Sequence, residues 1–140
     1  MMPESGEEMN IFEIPRYQWW EYMNPVMQNV NLSEISFLQN NHMEFTFLNS
    51  YDGKFYRKLS CEQIIKCCID NPPFENDVFA YFVLDIFLYK MNRAELESSL
   101  SYYKYGHNVD ASELGDQYLV LMWGGDMAVE IICGRVDISS

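Results

Sequence analysis

The sequence predicts a single α+β domain, one antiparallel sheet of about six strands with two to three helices packed on it. Three observations carry this. Alternating apolar residues recur in short runs separated by Asp-Gly and Gly-Gly turns. Between those runs lie stretches with three- and four-residue apolar spacing behind helix-capping signals. And 140 residues, 49% hydrophobic and 16% aromatic, match one core of ordinary domain size. Strands that pair locally, with helices set between them, define such a layered arrangement.

The first ten residues, with Pro3, Gly6, Glu4, Glu7 and Glu8, read as a disordered segment; residues 11–140 form the domain. Pro15 suits the first turn of a helix, where no amide hydrogen bond is lost. Tyr17, Trp20, Met23, Met27 and Val30 then follow at helical spacing until Pro25 ends or kinks the helix near Met23 or Asn24. On that helix Trp20 belongs to the core and Trp19 to the surface.

From Ser33 the period changes to two. Ile35 and Phe37, then Met43, Phe45 and Phe47, then Phe55, Arg57 and Leu59 alternate with their neighbours. Asn40-Asn41-His42 supplies the first turn and Asp52-Gly53 the second, where a tight hairpin needs positive φ. These three runs predict an antiparallel meander.

Ser60 with Gln63 fits a capping box, and Cys61, Ile64, Ile65 and Cys68 follow on one helical face until Asn71-Pro72-Pro73 stops the helix. Val78 to Met91 is apolar on both alternating sets, which reads as a central strand covered on both faces; periodicity alone does not separate this from a buried helix. Asn92 and Glu95 form a second capping box, with Leu96, Leu100 and Tyr103 along a helix that ends by Gly106. His107 to Asp116 is a polar loop. Tyr118 to Trp123 and Met127 to Cys133 make a hairpin around Gly124-Gly125-Asp126, and Val136 to Ile138 extend its last strand.

The charge is lopsided. The chain carries 21 acids against 9 bases, a formal net charge of −12. Residues 1–50 and 95–140 each hold a net −6, and the middle is balanced. If the ends meet in the fold, one side of the domain is acidic. Such a surface opposes direct nucleic-acid binding and suits a basic protein partner.

No basic segment followed by an apolar core marks a secretory signal. The longest apolar run is interrupted by Asp85 and too short for a bilayer. Cys61, Cys67, Cys68 and Cys133 make a poor disulfide framework and suit a reducing compartment, so a cytoplasmic protein without membrane contact is expected.

Catalytic and cofactor signals are weak. The cysteines lack paired zinc-ligand spacing and fit core packing, so no metal and no cofactor are expected. His42 and His107 both sit at turns, with nothing to place a nucleophile beside either. His107, Asp110 and Glu113 form one local polar cluster, read as a solvated loop. Gly124-Gly125 lies between strands and is a turn, not a phosphate cradle.

Asp85 is a lone acid in the most apolar segment. It should face solvent, pair with Arg57 or Lys58, or carry a raised pKa.

The composition therefore favours a non-enzymatic interaction module that neutralises a basic partner, in the manner of a toxin-immunity protein or a phage-type nuclease inhibitor. The residues expected at that interface are Asp110, Glu113 and Asp116 in the loop, with Trp19, Trp123 and Asp126 near element ends. Two alternatives stand beside it. One is a small-ligand-binding or enzymatic domain with an aromatic-lined pocket between helix and sheet. The other is a chaperone-like adaptor that exposes an apolar groove or sheet edge.

Overall fold

The computed structural model describes residues 9–70, 83–102, 113–124 and 127–140. His107, Asp110, Asp126 and most of the acidic segment 1–10 lie outside them. In chain order the elements are two 3₁₀ helices, η1 (Ile11–Glu13) and η2 (Arg16–Tyr22), strands β1 (Asn24–Leu38), β2 (His42–Asn49), β3 (Phe55–Asp70) and β4 (Val83–Lys90), helix α1 (Arg93–Tyr102), and strands β5 (Tyr118–Gly124) and β6 (Met127–Ser139).

The six strands are all antiparallel and close into a barrel in the order β1-β2-β3-β6-β5-β4. Two three-stranded meanders are joined so that β3 pairs with β6 and β4 returns to β1. The expected single α+β domain with six antiparallel strands is present. The sheet is closed, however, and among the described residues the helical layer is one α-helix and two short 3₁₀ turns.

Alternation along the strands divides the apolar residues into two clusters. Leu84 and Ile86, Val120 and Met122, Val129 and Ile131 point into the barrel with Phe45, Phe47, Leu32 and Leu59. Phe87, Leu119, Leu121 and Ile132 point outward and are covered by Ile11, Trp19, Met23, Met91 and Leu96. Of the segment Val78 to Met91, ambiguous in sequence, Val83–Lys90 is strand, and its outward Phe87 is buried under the residues of η1, η2 and α1.

Two expected helices are corrected. Met27 and Val30, read as the end of the first helix, belong to β1. There the pairing with β4 shifts between Met27 and Val30, and Asn29 takes φ 54°. An irregularity of this kind turns an alternating strand into one with three-residue spacing, so both side chains face inward.

The second predicted helix, after Ser60, is the far half of β3. Gln63 takes φ 59° opposite Gly134, and a further register shift follows between Ile64 and Lys66. The inward positions become Cys61, Ile64, Cys67 and Ile69. That spacing imitates a helix, and Ser60 turns instead to His42, its Oγ 2.6 Å from Nε2.

The capping box at Asn92 is present. Asn92 N–H donates to Glu95 Oε1 (2.9 Å) and Glu95 N–H to Asn92 Oδ1 (2.8 Å). The fully buried Glu95 also accepts from Ile11 N–H at 2.7 Å and from the Tyr89 hydroxyl at 2.6 Å. Asn10 Nδ2 donates to Ser98 Oγ, and Asn92 Nδ2 to Met9 O. Met9 and Asn10, assigned by composition to a disordered segment, are thus tied to α1. No helix among the described residues is long and apolar enough to cross a membrane.

Candidate partner-binding cleft

The segment from Pro15 to Tyr22 is too short, between Pro15 and Pro25, to reward an α-helix, and it winds as a 3₁₀ helix. Three residues per turn place positions i and i+3 in one row. Arg16 and Trp19 share a row whose start faces the barrel, while Tyr17 and Trp20 share one that faces out; Tyr22, at the end of η2, is exposed as well.

Trp19 is therefore fully buried and Trp20 is 50% exposed, the reverse of the expected roles. The Trp19 indole donates to Ile14 O at 3.1 Å and meets Phe12 edge-on at 5.4 Å. It plugs the outer core and is not available to a partner.

Arg16 contacts Glu130, which is almost completely buried on the outer face of β6, and pairs with Asp70 at 2.9 Å. Burial works against the Arg16 charge, but Asp70 and Glu130 outweigh it and hold the guanidinium above its ordinary value. This ion pair fixes η2 on the barrel wall.

Held there, η2 presents Tyr17 and Trp20 beside the outward residues of β4 and β5. An open cleft of about 380 Å³ lies between them, lined by Tyr17, Trp20, Asp85, Phe87 and Trp123. Asp85 and Trp123 are register partners on adjacent strands, which makes their side chains cross-strand neighbours.

Asp85 does not pair with Arg57 or Lys58. Those residues sit on β3, and β4 pairs only with β1 and β5. Arg57 stacks on Tyr56 at 5.0 Å and Lys58 approaches Glu44 at 3.7 Å. Asp85 Oδ1 instead accepts the N–H of Asn29 at 2.9 Å, across the β1 irregularity.

The other sequence-predicted residues are dispersed. Trp123 is half-buried at one end of the β4–β5 pair. Asp116, 3.3 Å from Lys90, precedes Tyr118 at the other end, about 17 Å away by strand rise. Glu113 lines a separate cleft of mixed character, with Asn40, Asn41 and Gln63 beside Ile64, Ile65 and Leu114. Asp110 and Asp126 lie outside the described residues. Among the described residues of the expected set, Trp123 alone lines the aromatic cleft; Tyr17, Trp20 and Phe87 were missed as site residues. A three-residue period between two prolines was the signal for the first two.

The cysteines behave as packing groups. Cys61 and Cys133 are buried in the barrel; their mutual hydrogen bond and burial push the Cys61 thiol well up. Burial and the neighbouring Cys68 push Cys67 up to about 11. Among the described residues no group of three or more His, Cys, Asp or Glu is placed to hold a metal ion.

A small closed barrel with a 3₁₀ layer on one wall is thus the class of protein that the geometry defines. Residues 25–140 match the model of a family described as "-like:-like", and the chain belongs to that family. The match begins after η2, so Asp85, Phe87 and Trp123 fall inside it and Tyr17 and Trp20 precede it. The fold is similar to the crystal structure of an uncharacterized protein from Neisseria gonorrhoeae, with a TM-score of 0.59 and 16% identity over 84% of this chain and 97% of that one. That likeness concerns the fold alone. No curated protein matches the chain.

Proposed function

We propose that this protein is a non-catalytic, cytoplasmic interaction module that binds and neutralises a basic protein, in the manner of a toxin-immunity protein or a nuclease inhibitor. The observation that supports this most is the η2 ridge. Tyr17, Trp20 and Tyr22 are 67%, 50% and 47% exposed on a domain of net charge −12. Exposed aromatics that are held rigidly serve as anchors at protein interfaces, and the surrounding charge speeds encounter with an opposite surface.

The arrangement of the ends adds support. The acid-rich terminal segments meet through Ile11 and Glu95, Asn10 and Ser98, and Arg16 and Glu130. Exposed Glu13 and Glu97 line one shallow cleft there. The one base of the N-terminal layer, Arg16, is consumed by its two carboxylates.

The test is affinity capture from the native host with the full chain, followed by elution in a salt series. A basic nuclease or toxin recovered in stoichiometric amount, and released as salt screens the charges, is the expected result. Recovery of small molecules alone, seen by native mass spectrometry, contradicts it and favours the second reading, a small-ligand site. The cleft between η2 and the sheet motivates that second reading. The adaptor reading would use an exposed apolar groove or a free sheet edge; the closed barrel offers no free edge among the described strands, which leaves it the groove.

A further inference from the structure

We infer that the cleft between η2 and the β4–β5 wall is a receptor for one guanidinium group, an arginine side chain presented by the basic partner. This deepens the reading above and rests on it. Tyr17 and Trp20, one 3₁₀ turn apart on η2, line it together with Phe87 and Trp123 of the β4–β5 wall, and Asp85 is its charged group. Aromatic faces attract a cation, and a carboxylate at their margin takes its N–H donors.

Asp85 is held for this role. Its Oδ1 accepts the N–H of Asn29, so the carboxylate is fixed on the rigid wall of the barrel. No ion pair joins Asp85 to a base among the described residues. The arginine of η2, Arg16, lies on its other row and is engaged by Glu130 and Asp70. The cleft therefore offers aromatic surface and one negative charge that no base among the described residues neutralises.

A guanidinium fits this better than an ammonium. It is planar and weakly hydrated, so it stacks on an aromatic ring while its in-plane N–H groups reach a carboxylate. The volume, about 380 Å³, lies at the small end of ligand clefts and leaves room for one arginine side chain.

The test is a nuclear magnetic resonance titration of the ¹⁵N-labelled full chain with the blocked tripeptide Gly-Arg-Gly. Its citrulline counterpart, isosteric and neutral, and its lysine counterpart are titrated in parallel. The indole N–H resonances of Trp20 and Trp123 should move with the arginine peptide, and that of buried Trp19, bonded to Ile14 O, should not. Citrulline should bind at least about tenfold more weakly, having lost the charge, and lysine more weakly than arginine.

Asp85→Asn retains an acceptor for the Asn29 amide and should lower affinity about tenfold while leaving distant resonances in place. Trp20→Ala, at an exposed position, should do the same. Equal binding of citrulline, tighter binding of lysine, an unaffected Asp85→Asn, or no movement of either indole overturns the inference. A captured basic protein that binds wild type, Asp85→Asn and Trp20→Ala equally refutes the cleft but leaves the partner reading intact. Arginine-peptide recognition in a chain that captures no basic protein supports the cleft and overturns that reading.

Discussion

The barrel interior and the layer on its outer wall are built on different principles. The interior is apolar throughout, with Phe45, Phe47, Leu32, Leu59 and Ile131 all fully buried, and non-directional burial holds it. The outer layer also buries apolar side chains, Ile11 and Trp19 among them, but its placement depends on a few directional contacts. Glu95 takes three hydrogen bonds from other groups, and Arg16 neutralises Glu130. The difference shows how one small domain can combine a rigid frame with exposed aromatic residues. The strand ladders close without the layer's residues, while the layer packs on their outer apolar face and presents Tyr17, Trp20 and Tyr22.

Truncation should affect the two regions differently. Phe45→Ala leaves a cavity in the barrel and should cost about 4 kcal/mol of global stability, measured by urea unfolding. Glu95→Ala leaves the Ile11 and Asn92 amides and the Tyr89 hydroxyl without their acceptor, and should cost about 3 kcal/mol. Its signature should be local: faster chymotrypsin cleavage at Tyr17, Trp20 and Tyr22 while the barrel remains folded. If Glu95→Ala exposes barrel and layer to protease at the same rate, the two are one cooperative unit and the contrast fails.

A third variant probes the corner where β3 and β6 bend together. A Cβ on Gly134 would collide with the Gln63 side chain, which lies against it. Gly134→Ala should cost about 2 kcal/mol through overpacking, and Gln63→Ala in the same chain should recover most of that. Failure of the rescue would mean that Gly134 is needed for its backbone and not for the space it leaves.

The smallest effect expected is on pH dependence. The Cys67 thiol has its folded value raised from 9.0 to about 11, so the folded state holds this proton more tightly than the unfolded one. Its contribution is fully present below pH 9 and is lost as pH rises toward 11. Stability should fall over that window in wild type and less steeply in Cys67→Ala.

Much of the barrel was legible, because alternation survives wherever the strands run straight. The β2 and β5 runs, the hairpin at Gly124 and the capping box at Asn92 all follow local rules that tertiary structure did not override. β1 and β3 were not legible in full. Left-handed Asn29 and Gln63 and the adjoining register shifts change the strand period from two to three, and three-residue apolar spacing looks helical in one dimension.

The cleft was legible only in pieces. Asp85 stood out as a lone acid and Trp123 as a residue near an element end, but their pairing across strands needs the register. Trp19 and Trp20 were exchanged because a 3₁₀ helix advances 120° per residue instead of 100°, which turns a different tryptophan to the wall.

The most direct test of the central claim, that the η2 cleft is the face that meets the partner, is hydrogen exchange by mass spectrometry on the full chain with and without the captured basic protein. Exchange should slow at residues 16–22, 85–87 and 121–123 on binding, and the barrel strands on the opposite wall should be unchanged. Slowing confined to residues 113–116, with η2 unaffected, would contradict the account and return the interface to the acidic loop.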